Sequence, residues 1–231
     1  MHKIDILVIS PGKCGSTTLR DTLKKHNFAC IKAHNPECFS EQFGYNGLSD
    51  TIKFSSANKP LYIIDSYRLP IERQISAFFH SLDILVPNYA TLSVAQLIDI
   101  FNSKCLSYTY KRSYINNIME QYNTPLITTF DFKKGYTVRK TQNIIFIRLL
   151  FRDINIWDKL LSELFNTPIT IVEKQLSKRK PYYKLYEEFK QQYKVPKRYL
   201  DFIQQHDDDF HIFNTKSEQH TYIANWVQSS I

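Results

Sequence analysis

The chain has 231 residues, of which 43% are hydrophobic and 23% are charged, a balance typical of a globular protein with one substantial core. Lysine and arginine (30 residues) outnumber aspartate and glutamate (22 residues), and the net charge of +8 favours an anionic partner without identifying it. Residues 1–9 are too short and too charged for a secretory signal, and no run of about 18 apolar residues predicts a membrane span.

The first elements of the chain alternate between strand and helix. Residues 4–10 are aliphatic and β-branched, which predicts a strand that ends at Pro11-Gly12. A helix follows, with Leu19 and Leu23 on its apolar face, and it is predicted to end near residues 26–27. Further strands are predicted at 28–32, 61–65, 125–130 and 143–150, with a turn at 131–136 before the last of them.

Helices are predicted from Pro70 onward, over 93–102 and 107–122, and from Trp157 to the C-terminus. Residues 36–59 are polar and rich in turn formers, so they are predicted to be loops that could cover a site. This order predicts an α/β fold in which helices flank a parallel, P-loop-type β-sheet and a helical extension follows. We expect one domain over residues 1–231, with a cofactor-binding core at about 1–150 and the extension at about 151–231.

The four cysteines have neither a C-x-x-C pair nor a metal-like spacing with histidine: Cys14, Cys30, Cys38 and Cys105. This pattern favours reduced thiols in a cytoplasmic environment, although export by another route stays open. No metal site is expected.

The segment PGKCGSTTL, residues 11–19, has the composition of an anion-binding loop. The N–H groups and dipole of a helix start attract an anion, Gly12 and Gly15 would let the backbone approach it closely, and Lys13 adds a positive charge. Three hydroxyls could bind the same anion or simply cap the helix: Ser16, Thr17 and Thr18. The common nucleoside-triphosphate loop, G-x-x-x-x-G-K-S/T, places its lysine after the last glycine, whereas Lys13 precedes Gly15.

Two further motifs follow predicted strands. In DSYRLPIERQISAFF, Arg68 lies just beyond the end of the strand predicted at 61–65, and Ser76 follows eight residues later in the next helix. Arginine offers a planar fork of donors that matches phosphate oxygens, although an ordinary amphipathic helix would also explain this segment. In IKAHNP, His34 follows the second strand and can accept a proton near neutrality. A purely structural histidine is the alternative.

These motifs resemble those of the sulfotransferases that use 3′-phosphoadenosine 5′-phosphosulfate (PAPS). Their first loop reads roughly P-K-S/C/A-G-S/T-S/T, and here Gly12 is one extra residue. The resemblance implies that Lys13 contacts the transferred group and that the loop from Cys14 to Thr18, through Gly15, Ser16 and Thr17, binds the 5′-phosphate. It also implies that Arg68 and Ser76 bind the 3′-phosphate, with Leu69 replacing the usual acid.

The same resemblance makes His34 the catalytic base, since KAHNP is similar to the family's K-T-H-x-P, although the family places more residues between its first loop and the histidine. The glycan-modifying branch uses a glutamate, so Glu37 and Glu41 are alternatives. Later segments, among them NIIFIRL and RDIN, are similar to the capsular polysaccharide synthesis branch, with Leu150 where an acid is usual and Asp153 able to replace it. The implied function is sulfuryl transfer from PAPS to a hydroxyl of a carbohydrate, without a nucleic-acid partner.

Three other functions remain open at this point. A small-molecule or nucleotide kinase would need ATP and magnesium, and Asp65 is a poor candidate for the magnesium-binding aspartate because it belongs to a different motif. A basic nucleic-acid-binding protein is suggested by the net charge alone. A sulfotransferase fold could also bind the cofactor without turnover. The basic cluster at 176–184 is either a solvated surface or a contact for a phosphate or an anionic glycan.

Overall fold

The computed structural model describes residues 3–43, 47–108, 113–172 and 180–227. The chain folds as two compact units, of which the first comprises Met1–Arg68 and Arg112–Lys174 and the second comprises Leu69–Lys111 and Gln175–Ile231. The expected single domain stays a prediction. Within the described ranges, the structure contains no helix that is long and apolar enough to cross a membrane.

The first unit is built on a five-stranded sheet. Its strands are β1 (Ile6–Ile9), β2 (Cys30–Ala33), β3 (Leu61–Tyr67), β4 (Tyr136–Thr141) and β5 (Ile144–Leu150). They lie in the order β2-β1-β3-β5-β4, and all neighbouring pairs are parallel except β4 with β5. The predicted α/β class with a mostly parallel sheet is confirmed, whereas its P-loop type stays a prediction.

The helices occupy most of the remaining described residues. In chain order they are α1 (Ser16–Lys25), α2 (Pro36–Phe43), α3 (Leu48–Ser56), α4 (Pro70–His80), α5 (Leu82–Leu85), α6 (Val94–Lys104), α7 (Tyr114–Gln121), α8 (Trp157–Phe165), α9 (Tyr183–Gln192), α10 (Lys197–His206), α11 (Asp208–Ile212) and α12 (Lys216–Trp226). Short 3-10 helices lie at Tyr89–Thr91 and Phe151–Ile156.

The core of the first unit explains why β1 reads as an unbroken apolar run. All four β1 residues are buried, as expected for a central parallel strand covered on both faces. On one face, Leu19 and Leu23 of α1 join Ile6 and Val8 in a cluster that also contains Trp157 of α8. This packing holds the start of α1 close to the carboxyl end of β1.

The second unit has a helical core rich in aromatic side chains. Helix α4 starts at Pro70, as predicted, and buries Ile71, Ile75 and Phe78 at helical spacing. The Phe78 ring lies 5.4 Å from Phe101 of α6 and 6.0 Å from Phe189 of α9. The helices predicted for the C-terminal part of the chain are therefore confirmed where it is described. Residues 176–179 of the predicted basic cluster lie outside the described residues.

Three local predictions differ from the structure. The helix predicted over 107–122 is shorter, since α7 begins only at Tyr114 and residues 107, 108 and 113 are not helical. Residues 125–130 form no strand in the described structure; Ile127 and Phe130 are buried without strand pairing, and the sheet edge is occupied by β4, whose polar residues hid its strand character. Residues 36–59, predicted as loops, contain α2 and α3. These helices escaped detection because only a few apolar side chains anchor them, among them Phe39 and Ile52.

Candidate functional site

The topology of the first unit has a switch point at the carboxyl edge of its sheet. From β1 the chain proceeds to β2 on one side, whereas β3 and β5 lie on the other. Ligands of open parallel sheets bind at such a switch point, outside the carboxyl ends of the strands. The loop at 10–15 follows β1, His34 follows β2 and Arg68 follows β3. The predicted site residues of this unit thus lie at one edge of the sheet.

The first loop is bent by two left-handed residues. Lys13 has φ +70° and Gly15 has φ +84°, and Cys14 between them is not left-handed. Such alternation turns successive N–H groups toward one side, which is the backbone geometry of anion-binding nests. Helix α1 begins at Ser16, and Gly15, which has no side chain, is its N-cap. The alternative that the hydroxyls at 16–18 cap this helix is therefore wrong.

The presence of glycine at positions 12 and 15 of the loop has two different explanations. A Cβ on Gly15 would lie 2.8 Å from Cη2 of Trp157 and 3.1 Å from Cδ2 of Phe151, so the loop needs glycine there to pack on these rings. A Cβ on Gly12 would meet no atom of the described residues within 4 Å. Close approach of a ligand therefore remains an explanation for Gly12, whereas Gly15 is explained by packing.

Residues at the end of β3 hold the loop in place. The Ser66 hydroxyl donates to the carbonyl oxygen of Cys14, and the Ser66 N–H donates to Ser10 Oγ at 3.2 Å. Both serines are buried. These contacts make Ser66 a positioning residue that sequence reasoning missed, although its place just before the strand end in DSYR was a signal.

Arg68 contacts the same loop from β3. Its Nη1 donates to the carbonyl oxygen of Lys13 at 2.9 Å, and its Cζ lies 4.5 Å from the centroid of the Phe151 ring. A guanidinium has five N–H donors, and stacking on an aromatic face holds it in orientation. The sequence correctly placed Arg68 at a strand end, but it did not predict that the Phe151 ring would pack against the guanidinium.

Lys32 adds a second cation beside the start of α1. This β2 residue donates from Nζ to Thr17 Oγ1 at 3.1 Å. Burial, and then the nearby positive charge of Arg20, lowers the pKa of Lys32. A bound anion would counter both effects, since it favours the charged amine. In the sequence, Lys32 stood out only as a residue near His34. Its contact with Thr17 at the start of α1 was not predicted.

His34 follows β2, and its ring is hydrogen-bonded to the backbone just after β1. Its Nδ1 is 2.9 Å from the carbonyl oxygen of Ser10; because a carbonyl only accepts, Nδ1 carries the proton and Nε2 of the neutral ring is an acceptor. Asn35 directly precedes α2, and its side chain caps that helix by accepting from the N–H of Cys38 at 2.7 Å. Glu37 and Glu41, the alternative bases, are exposed residues of α2.

The last residue predicted to bind the cofactor, Ser76, is a half-buried residue of α4 in the second unit. Its combination with Arg68 in one phosphate site stays a prediction. Asp153, which could replace the family's acid, lies in the 3-10 helix after β5.

A buried ion pair lies within the sheet, away from solvent. Arg148 Nη2 of β5 is 2.9 Å from Asp65 Oδ2 of β3, and each side chain is 1% exposed. The Ser113 hydroxyl donates to the same carboxylate at 2.7 Å. Asp65 is thus occupied by protein donors. Among the residues that the structure describes, no group of three or more His, Cys, Asp and Glu side chains could hold a metal ion.

Comparison of the chain with models of protein families, with curated proteins and with solved structures found no match. Membership of the sulfotransferase family therefore stays a prediction from the motifs, and the chemistry of the site is argued from its own residues.

Proposed function

We propose that the chain binds PAPS and transfers its sulfuryl group to a hydroxyl of a carbohydrate acceptor. The observation that carries this proposal is the donor set around the first loop: the N–H groups of the first turn of α1, the hydroxyls at 16–18, and the cationic side chains of Lys13, Lys32 and Arg68. These groups are suited to a dianion, because helix N–H groups and cations stabilise negative charge together.

When bound, PAPS supplies the sulfuryl group and leaves as 3′-phosphoadenosine 5′-phosphate (PAP). The first turn of α1 and the Thr17 and Thr18 hydroxyls would bind the 5′-phosphate. Lys13 would neutralise charge at the reacting end, and Lys32 would support the same charge from the side of Thr17. Arg68 would bind the 3′-phosphate, a role that the motif assigns jointly to Ser76.

His34 would be the general base. Its Nε2 would accept the proton of the acceptor hydroxyl as that oxygen forms its bond to sulfur, and the Nδ1–H bond to the Ser10 carbonyl would stabilise the resulting positive imidazolium. This bond also holds the ring in orientation, since Ser10 is itself fixed by the N–H of Ser66. A base held in this way needs no rearrangement between binding and proton transfer.

The rival functions have weaker support from the same residues. A magnesium-dependent kinase needs a carboxylate for the metal, and the Asp65 carboxylate is paired with Arg148. Nucleic-acid binding still rests on the net charge alone. The arrangement therefore favours a phosphate–sulfate ligand held by cations and N–H groups.

Cofactor binding is tested by calorimetric titration with adenosine 5′-phosphate, PAP and ATP–magnesium. We expect PAP to bind most tightly. Arg68→Ala should weaken PAP binding by about tenfold or more and weaken adenosine 5′-phosphate binding less, because only PAP has a 3′-phosphate, whereas the bond from Arg68 to the Lys13 carbonyl is lost for both. Arg139→Ala, on the antiparallel edge strand β4, is the control. Tighter binding of ATP–magnesium than of PAP would refute the assignment.

The base is tested by transfer of radiolabelled sulfate from PAPS to a panel of polysaccharides. His34→Ala should keep PAP affinity and lose transfer by about 100-fold or more, whereas His220→Ala, an exposed residue of α12, should change neither. Full transfer by His34→Ala would overturn the base assignment and direct attention to Glu37 and Glu41. PAP binding without transfer by the unmodified protein would favour the non-catalytic alternative.

A further inference from the structure

The second unit contains an open cavity that the proposed sulfuryl transfer does not use. Its volume is about 580 Å³, within the range of small-molecule sites. The lining residues come from α10 and from the segment after α6: Tyr108, Arg198, Asp201, Phe202, Gln205 and His206. Half of these side chains carry rings, and all of them have an exposed or half-exposed surface.

One row of the lining is aromatic and continuous. Helical spacing places Arg198, Phe202 and His206 on one face of α10, since each is four residues from the next. The Phe202 ring lies 5.1 Å from His206 and 5.9 Å from Tyr108. Arg198 lies at the end of this row. Its Nε donates to the Tyr108 hydroxyl at 2.6 Å, and its Cζ lies 5.1 Å from the centroid of the Tyr108 ring. The strip stays open, and Tyr108 is 37% exposed.

A second row, beside the first, is polar. Asp201 and Gln205 are also four residues apart on α10 and offer carboxylate and amide groups that accept and donate hydrogen bonds. Among the lining residues the formal charges of Arg198 and Asp201 cancel. Lys197 lies outside the lining, with its Nζ 2.7 Å from Asp201 Oδ2, and adds one positive charge beside the cavity. Although the whole chain is strongly basic, the lining of this cavity therefore carries no net charge and does not concentrate positive charge as a polyanion site would.

We propose that this cavity, lined by α10 and Tyr108, binds a neutral saccharide chain. A sugar ring presents a face of C–H groups, which buries apolar area on an aromatic strip, and an edge of hydroxyls, which can both donate and accept hydrogen bonds. The parallel rows on α10 provide these two surfaces side by side. The charge balance favours a neutral chain over a polyanion, and the proposal does not depend on sulfuryl transfer.

The test titrates the full chain with maltohexaose, cellohexaose and mannohexaose, each up to about 10 mM, and follows the amide resonances of α10 by NMR. We expect saturable shifts with at least one hexasaccharide. Gln205→Ala should weaken that binding about fivefold, the effect of one lost hydrogen bond. Gln204→Ala, an exposed neighbour on the same helix, should leave it unchanged. Added salt should change the affinity by less than about twofold, because the ligand is neutral.

Three results would overturn the proposal. The first is the absence of saturable shifts with all three hexasaccharides. The second is an equal loss of affinity in Gln204→Ala and Gln205→Ala. The third is salt-sensitive binding of heparin or single-stranded DNA to the same amides with higher affinity than the saccharides, which would identify the cavity as a polyanion site.

Discussion

The two glycines of the first loop should respond in opposite ways to the same alanine substitution. At Gly15, with φ +84°, a left-handed alanine costs about 1–2 kcal/mol. Its Cβ would also lie 2.8 Å from Cη2 of Trp157, a fully buried side chain, and such overpacking costs about 1–3 kcal/mol. We therefore expect Gly15→Ala to lower the free energy of unfolding by about 2–5 kcal/mol, a large part of a typical total of about 5–15 kcal/mol.

At Gly12 the backbone is not left-handed, and a Cβ would meet no described atom within 4 Å. Gly12→Ala should therefore keep the stability or raise it by about 0.4–1 kcal/mol, because alanine reduces the freedom of the unfolded chain. If the loop binds the 5′-phosphate closely, the added methyl should nevertheless weaken PAP binding. The pair of variants thus separates a glycine needed for folding from one available for ligand approach.

Urea unfolding of the unmodified protein and both variants, followed by tryptophan fluorescence, measures the stability, and calorimetric titration measures PAP binding. A Gly15→Ala protein within about 0.5 kcal/mol of the unmodified protein would refute the packing argument. Gly12→Ala destabilised by more than about 1 kcal/mol would show that Gly12 also has a structural role.

Two further substitutions test charged groups. Lys32→Met removes an amine whose pKa is lowered by burial and by the charge of Arg20. We therefore expect an unchanged or raised melting temperature in thermal unfolding, together with a PAP affinity that calorimetry finds lower by about tenfold. Burial, and then the charge of Asp209, raises the pKa of Asp207 to about 6 from 3.8. The folded state therefore binds the proton of the Asp207 carboxyl more tightly than the unfolded chain does, and the protein loses stability as the pH rises from about 4 to about 6. Asp207→Asn should keep the N-cap bond from the Phe210 N–H and gain up to about 3 kcal/mol at pH 7.5 but nothing below about pH 4, measured by urea unfolding across pH.

Matched variants on the same elements of structure give the controls. Lys53→Met removes an exposed lysine of α3 and should leave PAP affinity unchanged; an equal loss in both lysine variants would mean that Lys32 acts only through overall charge. Asp208→Asn removes the exposed neighbour in α11. If its stability changed with pH as much as that of Asp207→Asn, burial of Asp207 would not be the cause.

Much of the candidate site follows from local pattern. An apolar β-branched run ended by Pro11-Gly12 predicts where β1 stops, and similar breaks predict where β2 and β3 stop before His34 and Arg68. Because the carboxyl ends of parallel strands share one edge, the class of fold alone brings these residues to the same edge of the sheet. Such short-range signals also located α1 and α4, whose apolar residues recur at helical spacing.

Contacts between distant segments were decided only by the tertiary structure. The need for glycine at position 15 comes from Trp157, and the burial of Asp65 is possible because β5 places Arg148 opposite it in register. Likewise, Lys32 reaches Thr17 only because β2 lies next to β1 in the sheet. The sequence by itself located the ends of β1, β2 and β3 to within about two residues, since periodicity and chain breakers act over a few residues, whereas the polar edge strand β4 escaped it. Which of these ends face one another depends on the order of strands, a property of the whole folded unit that no local pattern carries.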